Sequence, residues 1–245
     1  MLAKNTMKRH IIFLNLVLVF VAILSTEARA DLFDLWSVVE NNSGMPGIVA
    51  SQLSVQVTDP GSSQALFTFS NTGSYDFYIA DIYFDDGALL GIAGIDNSDP
   101  GVSFAFPGSP GNLPGGNTVS PPFVTSGSTL HHFSADNDPG AATGVEPGES
   151  VGIVFDLING MTFTDVISSL YVGFDPSQYY TGSGIYDGWA LPSLRIGVHV
   201  QGIDDGPWGP DKSDTFILTP VPPSVIIGIL GLGVGVVGLK LRKFA

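Results

Sequence analysis

Apolar residues recur at every second position through much of this chain, and that spacing constrains its fold more than any other feature. Leu53, Val55 and Val57 alternate with Ser54, Gln56 and Thr58 before a turn at Asp59, Pro60 and Gly61. Ala65, Phe67 and Phe69 repeat the pattern up to Asn71, Thr72 and Gly73. Val151, Ile153, Phe155 and Leu157 share one face after the turn residues Glu146, Pro147 and Gly148. Leu194, Ile196, Val198 and Val200 alternate with Arg195, Gly197, His199 and Gln201. Successive side chains of an extended chain point to opposite faces, so a period of two builds one buried and one solvated face. The spacing therefore places His199 on the solvent side of its strand.

Further strands are expected at 77–85, 89–95, 102–106, 129–134 and 215–218, with turn residues between nearly all of them. Many short strands predict an all-β fold, an antiparallel β-sandwich with a jelly-roll barrel as the alternative. One short helix is expected at 164–170, with Thr164 as its N-cap. Two stretches break the rhythm. The Gly- and Pro-rich segment 101–127 reads as a long surface loop around a short strand. The segment 171–192 reads as an aromatic, glycine-rich insertion.

Charge divides the chain into three parts. Lys4, Lys8 and Arg9 precede an apolar stretch at 11–24, and Ala28 and Ala30 then give the small-x-small pattern of a signal-peptide cleavage site. As a helix that stretch would be about 21 Å long, short of a hydrocarbon core of about 30 Å. Residues 1–30 are accordingly expected to be a cleaved leader, and 31–219 the exported domain. That domain holds only Arg195 and Lys212 against 22 acidic residues, a formal charge of −20. Such a surface repels nucleic acid and anionic lipid, so no nucleic-acid partner is expected. The absence of cysteine is no obstacle in an exported domain large enough to bury a core of its own.

Candidate chemistry is sparse. Asp136, Asp138 and Gly140 have the minimal spacing of a calcium loop, although Asp, Asn, Pro and Gly also make ordinary turns. Calcium is the one cofactor the spacing suggests. His131 and His132 are adjacent and would point to opposite faces of a strand, a poor arrangement for a shared metal. Tyr179, Tyr180, Tyr186, Trp189 and Trp208 are candidates for stacking on sugar rings, or for capping the end of the core. No nucleophile elbow, zinc-binding helix or phosphate-cradling glycine loop is present, so no enzymatic activity is expected.

The C-terminal segment 220–245 ends in a charge-free, glycine-rich span at 225–239 followed by Lys240, Arg242 and Lys243. Counted from Val221, the span is about 28 Å as a helix, enough to reach across a bilayer, and the basic end would stay cytoplasmic. The order Val221, Pro222, Pro223, Ser224, apolar span and basic cluster resembles a PEP-CTERM sorting tail, with Val-Pro-Pro-Ser where the family carries Glu between two prolines. The resemblance implies a Gram-negative exporter of extracellular polysaccharide and processing by a membrane-embedded, exosortase-like protease. It also implies passage from the inner membrane to the cell surface or matrix. A structural or adhesive role follows as the expectation, with a carbohydrate-binding module and a polysaccharide-modifying enzyme as the alternatives.

Overall fold

The alternation is realised strand by strand in the computed structural model, which describes residues 31–41, 46–85, 90–119, 123, 132–172, 194–204 and 212–220. The chain divides into Met1–Ala30 and Asp31–Ala245, and every described residue belongs to the second unit. The strands are β1 (Asp31–Glu40), β2 (Leu53–Thr58), β3 (Gln64–Asn71), β4 (Tyr78–Asp85), β5 (Leu90–Asp96), β6 (Phe104–Ala105), β7 (His132–Asn137), β8 (Ser150–Leu157), β9 (Arg195–Ile203) and β10 (Lys212–Pro220). Among the described residues two α-helices join them, α1 (Pro46–Gln52) and α2 (Phe163–Val172).

All strand pairings are antiparallel, and hydrogen bonding runs through ten strands in the order β5-β8-β3-β2-β1-β10-β9-β4-β7-β6. The all-β expectation is met. The first and last described strands, β1 and β10, pair at the middle of the sheet. Two arms extend from that pair, one carrying β2, β3, β8 and β5, the other β9, β4, β7 and β6. β5 shifts register between Ile92 and Gly94.

The arms meet through their apolar faces. Phe84 of β4 lies 5.1 Å from Phe67 and 6.0 Å from Phe69 of β3, and 4.8 Å from Phe155 of β8, measured between ring centroids. Phe133 of β7 stands 5.6 Å from Phe84 and 5.0 Å from Phe155, and all of these contacts are edge-to-face. Edge-to-face pairs set the positive rim of one ring against the negative face of the next, adding to the gain from burial. Val55, Val57, Ile153, Ile196, Val198 and Val200 complete this core, as their alternation requires.

α2 adds Phe163, Val166 and Leu170 to the same core. Its N-cap is Thr162 and not the expected Thr164. The Thr162 hydroxyl accepts from Asp165 N at 3.3 Å, while the Asp165 carboxylate accepts from Thr162 N at 2.7 Å. This reciprocal capping satisfies donors at the start of the helix, which places the cap two residues earlier.

Phe84→Ala is expected to cost about 3–5 kcal/mol, because it leaves a cavity where four rings converge. Phe106 also stacks on Phe133 but is 48 % exposed, so Phe106→Ala should cost about 1 kcal/mol or less. Urea midpoints of the two variants measure the contrast, and equal losses would deny Phe84 its central place.

Candidate functional site

The face of β9 that carries His199 is expected from its alternation to meet solvent, and it is continuous with the outward faces of β4 and β7. These faces carry Asp81, Tyr83 and Asp85 on β4, Arg195, Gly197, His199 and Gln201 on β9, and Ser134 and Asp136 on β7. Within the expected loop, residues 106–119 and Phe123 lie over this layer as a roof. Leu113 and Phe123 are buried and form a second small core with Tyr83 and Ile217, joined by Val38 and Val119. Gly197 is the socket for Leu113, because a Cβ at Gly197 would come within 2.7 Å of the leucine Cδ1. Polar contacts tie the roof down as well. Tyr83 OH donates to Pro110 O at 3.0 Å, Ser109 N donates to Asp136 Oδ2 at 3.1 Å, and Gly108 N donates to Ser134 O at 2.8 Å.

Beneath the roof a row of ionisable groups crosses three strands. Asp81 stands opposite His199 on one side and opposite Asp136 on the other. His199 Nδ1 lies 2.6 Å from Asp81 Oδ2, and both residues are buried. The expected solvent exposure of His199 is therefore wrong, since the polar face of β9 is covered by a distant loop. Burial pushes the Asp81 carboxyl above its usual range; the hydrogen bond and attraction to His199 pull it down, and Asp136 pushes it up again. Burial also drives the Tyr83 phenol far up, with Asp81 and Asp136 adding to the effect. Nearby, Arg195 pairs with Asp85 and sets its guanidinium 4.9 Å from the centre of the Phe123 ring. The Asp81–His199 pair thus holds a proton between two strands. A general base must reach its substrate within hydrogen-bond distance, and a pair so covered is placed to clamp β4 to β9.

Asp136 lies in strand β7, which runs on to Asn137 beyond its expected end. Asp138 is exposed, and its N–H donates to Ser103 O at 2.9 Å. Among the described residues, no three His, Asp or Glu side chains lie close enough to hold a metal ion. Other acids serve turns and junctions: Asp59 accepts from Gly61 N at 2.8 Å, Asp96 from Ser98 N at 3.0 Å, and Asp99 from Ser150 N at 2.7 Å. No helix among the described residues is long and apolar enough to cross a membrane. Ala28, Ala30, His131, Tyr179, Tyr180, Tyr186, Trp189, Trp208, the sorting motif Val221, Pro222, Pro223 and Ser224, and the basic end Lys240, Arg242 and Lys243 all lie outside the described residues.

One surface feature escaped sequence reading. β1 leaves Trp36 70 % exposed and Leu32 56 % exposed on its outer face, while Phe33 is buried. Apolar residues occupy both faces of this strand, so its alternation carried no signal.

The two shifted carboxyls give opposite pH dependences. Asp81 has a folded pKa above its unfolded one, so the folded chain binds the extra proton between those values. Its contribution to stability is full below the unfolded value and is lost as pH rises through the folded one. Asp165 is lowered by its hydrogen bonds to Thr162, so its contribution is present above the unfolded value and lost as pH falls through the folded one. Melting temperatures across acidic pH should lose the first trend in Asp81→Asn and the second in Asp165→Asn. His199→Ala strips the buried acid of its partner and is expected to cost on the order of 3 kcal/mol.

No protein-family profile, curated protein or solved structure matches the chain.

Proposed function

We propose that this chain is an exported, membrane-tethered or surface-sorted structural or adhesive protein of the bacterial envelope or extracellular polysaccharide matrix. The observation that carries the reading is the distribution of charge. Seven of the nine lysines and arginines sit before Asp31 or after Thr219, and the domain between them is strongly acidic. A basic-apolar leader and an apolar-basic tail on either side of such a domain give it an outward orientation. The folded sheet suits a β-sandwich, with the jelly roll as the other arrangement of its arms. The described acids support a structural role, because they cap a helix, close turns and clamp strands.

The proposed partners are the inner membrane, an exosortase-like protease and extracellular polysaccharide. Replacing Pro222, Pro223 and Ser224 together with Ala leaves the apolar span intact, so membrane insertion should persist. The variant should accumulate at full mature length in the inner membrane, while the unaltered chain appears shortened or at the cell surface. Cell fractionation and mass measurement of the C-terminus read the difference. An unaltered chain that stays in the inner membrane with Ala245 attached makes the tail a plain anchor.

Calcium at Asp136 and Asp138 is a separate proposal. A cation bound only by the folded state raises the melting temperature by mass action. Millimolar calcium should do so in the unaltered chain and not in Asp138→Asn. No change in the unaltered chain leaves these residues with structural roles alone.

A further inference from the structure

The two arms of the sheet differ in what covers their outer faces. The face of β4, β7 and β9 lies under residues 106–119 and Phe123, whereas the face of β1, β2 and β3 exposes Trp36, Leu32 and Gln56. A transverse row runs Leu32, Gln56, Thr68, with each residue directly opposite the next across the strands. Asp34 projects between Leu32 and Trp36 and is exposed. Leu32 and Trp36 are four residues apart on one strand, roughly 13 Å, so the platform is longer than one sugar ring.

From this arrangement we propose that the outer face of β1, β2 and β3 is a binding platform for an uncharged polysaccharide, with Trp36 as its stacking ring. The inference deepens the matrix reading above by giving it a surface and a ligand class. An indole this exposed offers a flat apolar face to the C–H side of a pyranose, and its N–H remains a donor. Gln56 and Thr68 supply both donors and acceptors at the height of the sheet, the inventory that sugar hydroxyls need. Charge decides between classes of glycan. A domain with a formal charge of −20 repels acidic polysaccharide. A neutral glycan meets no such barrier.

The test uses the full-length chain in detergent on immobilised neutral glucan, galactan and mannan, with alginate as the acidic contrast. At least one neutral glycan should bind and shift the tryptophan emission, and alginate should not. Trp36→Ala should weaken binding about tenfold or more, as expected for a central aromatic contact. Trp36→Phe should recover most of the affinity, and Gln56→Ala should lose a few-fold. The side chain at Trp36 is largely exposed, so melting temperatures of its variants should match the unaltered chain and separate lost binding from lost folding. The proposal is overturned if no neutral glycan binds, or if Trp36→Ala binds as well as the unaltered chain. It is also overturned if sedimentation shows Trp36 holding two copies of the chain together in place of a glycan. Export of the Trp36→Ala chain should be normal. Glycan binding by a chain that is never sorted would leave the platform standing and remove only the sorting reading.

Discussion

Phe84 holds this fold closed. A ten-stranded sheet with one apolar face is stable only if that face is covered, and the described chain covers it by folding the sheet onto itself. The rings of Phe67, Phe69 and Phe155 from one arm and Phe133 from the other converge on Phe84. The hydrogen-bond ladder and the ring cluster depend on each other. The ladder through β1 and β10 brings the arms within reach, and the rings fix how far they fold.

The roofed outer face shows what else that closure permits. With β4, β7 and β9 anchored by the core on their inner side, polar groups on their outer side can be buried without loosening the sheet. Burial of Asp81 and His199 is tolerable because they satisfy each other, and burial of Tyr83 because its hydroxyl reaches the Pro110 carbonyl. The guanidinium of Arg195 is neutralised by Asp85 and covered by Phe123. Each partnership spans two strands or a strand and the roof, so desolvation is offset by contacts that also specify register.

Strand interiors were legible because Val55, Phe67, Ile153 and Val198 follow a strict period of two beside clear turn residues. Their burial came out as the pattern requires. Three things were not legible. β1 carries apolar residues on both faces, since its outer side holds Leu32 and Trp36, and period-two reading fails there. β6 keeps only Phe104–Ala105 of the expected 102–106, although Val102 just outside it is buried in the core with Phe104. The cover on the outer face of β9 comes from Leu113 over Gly197 and Phe123 over Arg195, far away in sequence and in a segment whose Gly and Pro content looks like exposed loop. Local periodicity reports which face a residue takes, and only long-range packing decides whether that face meets water.

The register shift in β5 carries a consequence for how copies of this sheet can associate. Antiparallel sheets grow by adding strands at their free margins, and an unpaired margin invites a neighbouring copy to continue the ladder. Among the described strands only β5 and β6 stand at the margins. β6 is two residues long, too short to template another strand. β5 is interrupted between Ile92 and Gly94, which breaks the spacing of its outward N–H and C=O groups. A wide sheet built this way can be packed densely beside its own copies while resisting fibrous growth, which leaves the faces of the described strands as the surfaces for contact.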